Sequence, residues 1–379
     1  MKSERYVGPW DLAGLSQVPD MQWEEETEYS AYSLTRLSYA NESYQGRDTR
    51  VFAYYAQPKQ MEGPIPAIVL LHGGAGKAFP EWAGQWAERG YAAIAMDLFG
   101  NGSDGDRMSD GGPNQTNEEL FFNISTETVT EMWPYHAVAA AIRAVSILDD
   151  RPEIDASQIG LMGISWGGYL AEIVAGLESR LSYAITVYAG GYFEQGSHWA
   201  NEMKRMSKEQ LGLWNDNFEI SRYVHQSRIP MMWATGTNDT CFPLDNWHRT
   251  YRSVQGKATL RLIKDWQHGY HEPWGTMEFI AYADSNTGRG TQLAITRSFG
   301  VSDGVAWAEY ETGSPIQFAK LLYTQDDGDW QTRRWQEVAA DLNARANHAS
   351  AALPDGTTIF CFILEDEREL IVSTELVWV

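Results

Sequence analysis

Cysteine is scarce in this chain, since only Cys241 and Cys361 occur among its 379 residues. The two lie far apart in the sequence, so neither a disulfide framework nor a metal knuckle is expected. Long apolar runs are also missing: no stretch reaches the length of a membrane span, and the start, MKSERYVGPWDLAGL, lacks the apolar core of a signal peptide. These absences predict a cytoplasmic protein without a membrane segment.

Positive charge is in short supply as well. Lysine and arginine number 29 against 51 aspartates and glutamates, which gives a formal net charge of −22. Nucleic acid and anionic membrane surfaces would repel such a chain, so neither is expected as a partner. Small molecules, an oligosaccharide included, remain as the expected ligands. Apolar residues make up an ordinary 43%, which predicts a folded globular protein. The oligomeric state is left open, a homo-oligomer included.

Short apolar runs alternate with helical patterns through the middle of the chain. Such runs are typical of strands that are buried on both faces. They are residues 67–74, 91–100, 159–163, 181–190, 229–237 and 259–266. The alternation predicts an α/β fold with a doubly wound, mostly parallel sheet. Aromatic and β-branched runs between residues 28 and 57 predict an antiparallel hairpin at the sheet edge.

The pattern changes near residue 288, where the helical segments stop. Strand-like runs such as TTIFCFILED follow, separated by turn sequences such as LPDG. The sequence therefore predicts an α/β domain over residues 1–287 and an all-β, sandwich-like domain over 288–379. Two long segments, near 101–129 and 191–228, carry aromatic side chains and are predicted to be lid insertions that cover a site.

The most specific stretch is GISWGGY, residues 163 to 169. It follows the apolar run IGLM and precedes the helical run YLAEIVAGL, which is the strand and helix context of a G-x-S-x-G turn. Gly163 and Gly167 leave room for a strained backbone, so Ser165 would stand clear of the sheet as a nucleophile. A serine hydroxyl needs a base, which is almost always a histidine.

The chain order serine, acid, histidine narrows the choice of partners. In DWQHGYHEPW, His268 comes directly after a strand and is the expected base, while His271 is the alternative base or a pocket-wall residue. Asp239, which also follows a buried strand, is the acid expected to orient the imidazole. The expected oxyanion donors are the backbone N–H groups of Trp166 and Gly74. No metal and no cofactor is expected.

Aromatic side chains of the two insertions are candidates for substrate contact, because tryptophan and tyrosine faces stack on sugar rings. The residues expected to bind substrate are Phe122, Tyr192, Trp199, Trp214 and His271.

Four motifs together resemble the α/β-hydrolase superfamily, and more narrowly the bacterial acetyl xylan esterase and dienelactone hydrolase-related group. They are LLHGGAG, GISWGGYLAEIVAGL, ATGTNDTCFPLD and DWQHGYHEPW, and the resemblance covers about residues 25 to 286. It implies an α/β-hydrolase fold and a serine esterase that hydrolyses short acyl esters, above all acetyl groups on carbohydrate, through a Ser-Asp-His triad and an acyl-enzyme. Dienelactone hydrolases commonly place cysteine at the nucleophile, where this chain has Ser165.

Three other readings stay open. A small-peptide serine peptidase of the prolyl oligopeptidase type would need an anchor for a peptide amine, and WEEE at 23–26 is the candidate. A dienelactone hydrolase-like activity is the second alternative. The third is a carbohydrate-binding protein on a hydrolase fold that has lost its activity.

Overall fold

Uninterrupted apolar runs form the parallel strands at the centre of the protein. A strand that is covered by helices on both faces has no solvent-exposed face, so polar residues do not alternate with apolar ones along it. The structure is a computed structural model that describes residues 5–269 and 272–379. Its strands are β1 (Met21–Glu28), β2 (Tyr32–Tyr44), β3 (Arg47–Pro58), β4 (Ile65–Leu71), β5 (Ala92–Met96), β6 (Ile154–Ile164), β7 (Tyr183–Val187), β8 (Met231–Gly236), β9 (Ala258–Ile263), β10 (Ile295–Ser302), β11 (Val305–Glu311), β12 (Ile316–Thr324), β13 (Trp335–Ala339), β14 (Asp341–Asn343), β15 (His348–Ala352), β16 (Ile359–Asp366), β17 (Ile371–Ser373) and β18 (Val377–Trp378).

The helices connect these strands as the alternating pattern predicts. The α-helices are α1 (Leu12–Leu15), α2 (Pro80–Ala87), α3 (Trp133–Asp149), α4 (Trp166–Leu177), α5 (Ala200–Met203), α6 (Lys208–Phe218), α7 (Leu244–Tyr251) and α8 (Met277–Asn286). None of the helices formed by the described residues combines the length and the hydropathy that crossing a membrane requires.

The central part of the main sheet is parallel, in the order β5-β4-β6-β7-β8-β9. Along β4, Val69 and Leu71 belong to the core that includes α3 and α4, while Ile68 and Leu70 belong to the core that includes α2 and α8. Side chains that alternate between two helical layers are what a doubly wound sheet requires. The α/β-hydrolase type of sheet predicted from the sequence is therefore confirmed.

At one end, β1, β2 and β3 extend the sheet in antiparallel fashion, and β3 pairs with β5. The predicted hairpin corresponds to β2 and β3. The additional edge strand β1 contains WEEE, and apart from the half-buried Met21 its residues are exposed. Charged side chains on an edge strand discourage pairing with another chain.

At the other end, the main sheet continues into the C-terminal region in the order β9-β17-β16-β12-β13. The connection is an antiparallel pairing of Ser373 with Leu260. A second, four-stranded sheet in the order β10-β11-β15-β14 packs against this extension through a shared apolar core. The C-terminal region is thus antiparallel and β-rich, as expected, but the sequence did not predict its continuity with the central sheet. The division into domains at residue 287 stays a prediction.

The two long insertions pack against each other. The first contains a short π-helix, Glu118–Phe122, and the second contains α5 and α6. Trp214 of α6 donates from Nε1 to the carbonyl oxygen of Leu120 at 2.9 Å, and Gln210 donates from Nε2 to that of Phe122 at 2.6 Å. These contacts join the insertions into one covering layer.

Candidate active site

Ser165 occupies the sharp turn between β6 and α4. Its backbone has φ 57° and ψ −119°, a combination that is rare for a residue with a side chain and that persists only where the surroundings enforce it. The N–H of Ser165 donates to the carbonyl oxygen of Val187 at 2.8 Å, which fixes the turn against β7. The turn presents the hydroxyl at the carboxyl ends of the parallel strands.

Asp239 and His268 follow β8 and β9 at the same edge of the sheet. His268 Nε2 lies 2.8 Å from Ser165 Oγ, and His268 Nδ1 lies 2.7 Å from Asp239 Oδ2. Asp239 is fully buried, and its Oδ1 accepts the backbone N–H groups of Cys241 and Phe242, both at 2.8 Å. The three predicted side chains are therefore joined in one hydrogen-bonded series.

The environment of His268 favours its protonated form. Burial lowers the pKa of the imidazole, but the hydrogen bond with the Asp239 carboxylate and the nearby Cys241 sulfur outweigh burial and raise the pKa above its ordinary value. The ring is flanked by Tyr188, with ring centroids 4.6 Å apart, and by Phe242 at 6.4 Å. Tyr188 also donates from its hydroxyl to the carbonyl oxygen of Gln267 at 2.7 Å, which holds the loop that carries His268.

A cavity of about 260 Å³ opens at this hydrogen-bonded series. Its lining residues are Gly74, Ser165, Trp166, His198, Trp199, Cys241, His268 and Gly269. Both predicted oxyanion donors, Gly74 and Trp166, are among them. Trp166 begins α4, so its N–H belongs to the first turn, where N–H groups have no partner within the helix.

His72, at the start of the HGGAG loop, has a structural position. Burial lowers its pKa to about 4, only partly opposed by its hydrogen bond to the carbonyl oxygen of Gly73. Its Nε2 accepts the N–H of Leu98 at 2.9 Å. Both ring nitrogens of His72 are therefore engaged in holding the loop that carries Gly74.

The aromatic residues that were predicted to contact substrate lie in different environments in the structure. Trp199 lines the cavity and packs on Trp166 with ring centroids 4.5 Å apart. Trp214 is fully buried and does not line the cavity, so its prediction as a substrate contact is corrected: it joins the two insertions.

Two of the remaining predicted contacts pack against arginine side chains. Tyr192 lies under the Arg249 guanidinium, 3.6 Å from the ring centroid, and Phe122 lies under Arg205 at 5.1 Å. Neither is among the residues that line the cavity, and their contact with substrate stays a prediction. His271 is outside the described residues.

Three lining residues were not predicted from the sequence, namely His198, Cys241 and Gly269. Cys241 is half-buried and comes two positions after Asp239, a proximity that could have marked it. Among the described residues, a single group of three possible metal ligands occurs, formed by Asp239, Cys241 and His268 with ligand atoms within 4.8 Å of one another. In this structure Asp239 and His268 are already hydrogen-bonded to each other.

Comparison with known proteins gives one family and several similar folds. The acetyl xylan esterase (AXE1) family model matches residues 9–285. The acetyl xylan esterase from Paenibacillus sp. R4 is similar with a TM-score of 0.60 and 22% identity, covering 73% of this chain and 92% of that one. Acetyl xylan esterase 1 from Thermoanaerobacterium sp. JW/SL YS485 has a TM-score of 0.55 and 17% identity, covering 73% and 94%.

A sequence relative matches over a shorter range. YtaP of Bacillus subtilis (strain 168) is 25% identical over 148 residues, which are 35% of this chain and 46% of that protein. The chain thus spans about half the length of this curated relative. The structural similarities, at their low identities, show a common α/β-hydrolase fold.

Proposed function

This chain belongs to the acetyl xylan esterase family and is a hydrolase that acts on esters, and from that premise we propose that it removes acetyl groups from carbohydrate through a Ser-Asp-His triad. Ser165 is the nucleophile, His268 the base and Asp239 the acid that orients it. The observation that carries this proposal is the pair of short distances at the cavity, 2.8 Å from Ser165 Oγ to His268 Nε2 and 2.7 Å from His268 Nδ1 to Asp239 Oδ2.

In the first half of the reaction, His268 Nδ1–H donates to Asp239 and leaves Nε2 free to accept the proton of Ser165. The Ser165 oxygen then attacks the ester carbonyl carbon, and the carbonyl oxygen becomes negatively charged. The Asp239 carboxylate stabilises the imidazolium that forms. His268 gives its proton to the leaving sugar hydroxyl, so the sugar departs as a neutral alcohol and the acetyl group stays on Ser165.

The oxyanion is held by the backbone N–H groups of Trp166 and Gly74, both of which border the cavity. Removing one such donor typically costs about 3 kcal/mol in activation free energy. In the second half, water loses a proton to His268 as it attacks the acyl carbon, and Ser165 leaves with the proton returned. Acetate is released and the triad is restored.

The size and the lining of the cavity support a small acyl group on a sugar. A cavity of about 260 Å³ is slightly smaller than the usual range of ligand pockets, about 300 to 1,000 Å³. Trp199, which is half-buried at the cavity, offers aromatic surface on which a sugar ring can stack. The peptidase alternative lacks its proposed anchor, because the glutamates of WEEE lie on the exposed edge strand β1 and are not among the cavity-lining residues.

The test is a substrate panel with Ser165→Ala as the control. Acetylated xylose and xylo-oligosaccharides are compared with aryl esters of increasing acyl length, an aminoacyl anilide and a dienelactone. We expect hydrolysis of the acetylated sugars and short aryl esters and none by Ser165→Ala. Preference for the anilide or the lactone would contradict the proposed substrate and would favour the peptidase or the dienelactone hydrolase alternative, respectively. Full inertness, together with no labelling of Ser165 by a fluorophosphonate, would favour a binding protein.

A further inference from the structure

Asn238 connects the loop that carries Asp239 to the C-terminal β region. The two hydrogens of its Nδ2 group donate to three backbone carbonyl oxygens within residues 330–333, one hydrogen being shared, at N–O distances from 2.8 to 3.2 Å. Residues 330–333 are called the clamp segment below. Asn238 is the residue directly before Asp239, so this contact fixes the chain next to the buried carboxylate.

The clamp segment also holds the chain on the other side of Asp239. Gln331 donates from Nε2 to the carbonyl oxygen of Thr240 at 3.0 Å. Residues before and after Asp239 are therefore both bonded to one short segment that is distant in sequence. A single hydrogen bond at a surface contributes little, but several that converge on one loop reduce its conformational freedom.

The side-chain oxygen of Asn238 connects to the loop that carries His268. Asn238 Oδ1 accepts the hydroxyl of Thr237 at 2.7 Å, and Thr237 Oγ1 accepts the backbone N–H of Asp265 at 3.0 Å. Thr237 is fully buried, and Asp265 lies in the connection from β9 to His268. One series of hydrogen bonds thus runs from the clamp segment past the acid to the loop of the base.

The clamp segment is itself held in place. It belongs to the connection between β12 and β13, in the extension of the main sheet. Within that connection, Arg333 donates from Nε to the carbonyl oxygen of Gly328 at 2.9 Å, and the N–H of Arg334 donates to Asp326 Oδ2 at 2.7 Å. A connection braced in this way can act as a fixed support for the loop of Asp239.

We propose that Asn238 is a positioning residue for the esterase reaction, through which the C-terminal β region aligns the carboxylate of Asp239 with His268. The proposal rests on the roles given above to Asp239 and His268. It assigns a task to the C-terminal region, for which the sequence offered no chemical motif. Asn238 acts only through its neighbour, since it is not among the residues that line the cavity.

The test compares Asn238→Ala and Gln331→Ala with Ser165→Ala and the wild type in the full chain. For Asn238→Ala we expect kcat to fall about 10- to 100-fold, because small misplacements of a catalytic group have effects of that size. KM should change by less than about twofold, since the cavity lining is intact. The acid limb of the pH–rate profile should move to lower pH, because a weaker bond from Asp239 raises the pKa of His268 less. Gln331→Ala should also lower kcat and move the acid limb to lower pH, but both effects should be smaller.

Asn286→Ala is the matched control. Asn286 also donates from its side-chain Nδ2 to a backbone carbonyl oxygen, that of Tyr282 at 2.8 Å, within α8 and outside the connection that contains the clamp segment. It should leave kcat and the acid limb unchanged. If Asn238→Ala proves unfolded by circular dichroism, the exposed Gln331→Ala decides in its place.

A folded Asn238→Ala with lower thermal stability but the wild-type kcat and acid limb overturns the proposal. Loss of activity in Ser165→Ala then shows that the proposed function still stands. Full activity in Ser165→Ala overturns the proposed function and this inference with it.

Discussion

The carbonyl oxygen of Leu71 lies only 2.0 Å from the position that a Cβ atom would take at Gly167. Leu71 ends β4 and Gly167 belongs to the first turn of α4, so the helix after Ser165 packs directly on the neighbouring strand. A Cβ at Gly163 would likewise collide with the carbonyl oxygen of Gly167. The glycines of the G-x-S-x-G motif are therefore needed for backbone packing, which in turn fixes where the Ser165 hydroxyl points.

Replacing Gly167 by alanine should destabilise the protein. The new methyl group meets backbone atoms that cannot move aside, and overpacking of this kind costs about 1–3 kcal/mol or more. Thermal unfolding measures the loss, and activity should fall with it because the turn at Ser165 is displaced. Gly212→Ala is the control: Gly212 is exposed in α6, has open space around it, and should gain up to about 1 kcal/mol in helix propensity. Equal stability of both variants would contradict the packing argument.

The convergence of Ser165, Asp239 and His268 could be predicted from the sequence because each of them follows a strand. Ser165, Asp239 and His268 come after β6, β8 and β9, and the carboxyl ends of parallel strands meet at one edge of a sheet. Strand order and motif context were therefore enough to predict which side chains converge. The distances between them became known only from the structure.

The orientation of side chains in the loops could not be predicted from the sequence in this way. Trp199 and Trp214 both lie in the second insertion, yet Trp199 borders the cavity while Trp214 is fully buried. The difference arises from packing against the first insertion, which no local pattern encodes. The pairing of Ser373 with Leu260 could not be predicted either. A strand that joins a distant sheet shows the same alternation of apolar and polar residues as a strand in a separate sheet.

His268→Ala should abolish turnover, with a decrease of up to about a million-fold, as when a member of a cooperating catalytic unit is removed. The reason is that His268 Nε2 lies 2.8 Å from Ser165 Oγ, within hydrogen-bond reach of the proton that the serine must lose. Steady-state hydrolysis of an aryl acetate measures the loss. His271→Ala is the comparison and should retain activity. Loss in His271→Ala with normal activity in His268→Ala would show that the base was assigned wrongly.

The pH–rate profile should report the raised pKa of His268. Protonated His268 cannot accept the serine proton, so activity falls as the pH drops through this pKa, and the acid limb should lie above the ordinary value of about 6.5. Asp239→Asn removes the carboxylate that raises the pKa, so the acid limb should move to lower pH while kcat falls by about four orders of magnitude. Asp245→Asn, on the exposed side of α7, should change neither quantity. An acid limb that stays in place in Asp239→Asn would contradict the coupling.

Asp97 should make stability depend on pH. Burial raises its pKa to about 6, against the hydrogen bonds that its Oδ1 accepts from the N–H groups of Asn101 and Phe99. The folded protein therefore binds this proton more tightly than the unfolded chain, so stability falls as the pH rises from about 4 to 6, by about 3 kcal/mol at most. Asp97→Asn keeps the Oδ1 acceptor and removes the buried charge.

We expect Asp97→Asn to have a higher Tm than the wild type at pH 8, and the gain should vanish as the pH falls toward 4. Asp106→Asn, an exposed change in the first insertion, controls for the loss of one negative charge. A gain in Tm that is the same at pH 8 and pH 4 would rule out ionisation of Asp97 as its cause. Thermal unfolding followed by circular dichroism at both pH values provides the comparison.

Trp199→Ala should widen the range of acyl groups that are hydrolysed. Trp199 borders the cavity beside Ser165, so removing its ring adds room for methylene groups, each of which changes selectivity by about tenfold or more. We compare kcat/KM for a hexanoate ester with kcat/KM for an acetate ester and expect the hexanoate-to-acetate ratio to rise at least tenfold. Trp378→Ala, a change of the same kind at an exposed position, should leave this ratio unchanged. An unaltered ratio in Trp199→Ala would mean that another residue limits the acyl group. Because a general loss of folded enzyme lowers both rates equally, the ratio reports the shape of the cavity and not the stability of the variant.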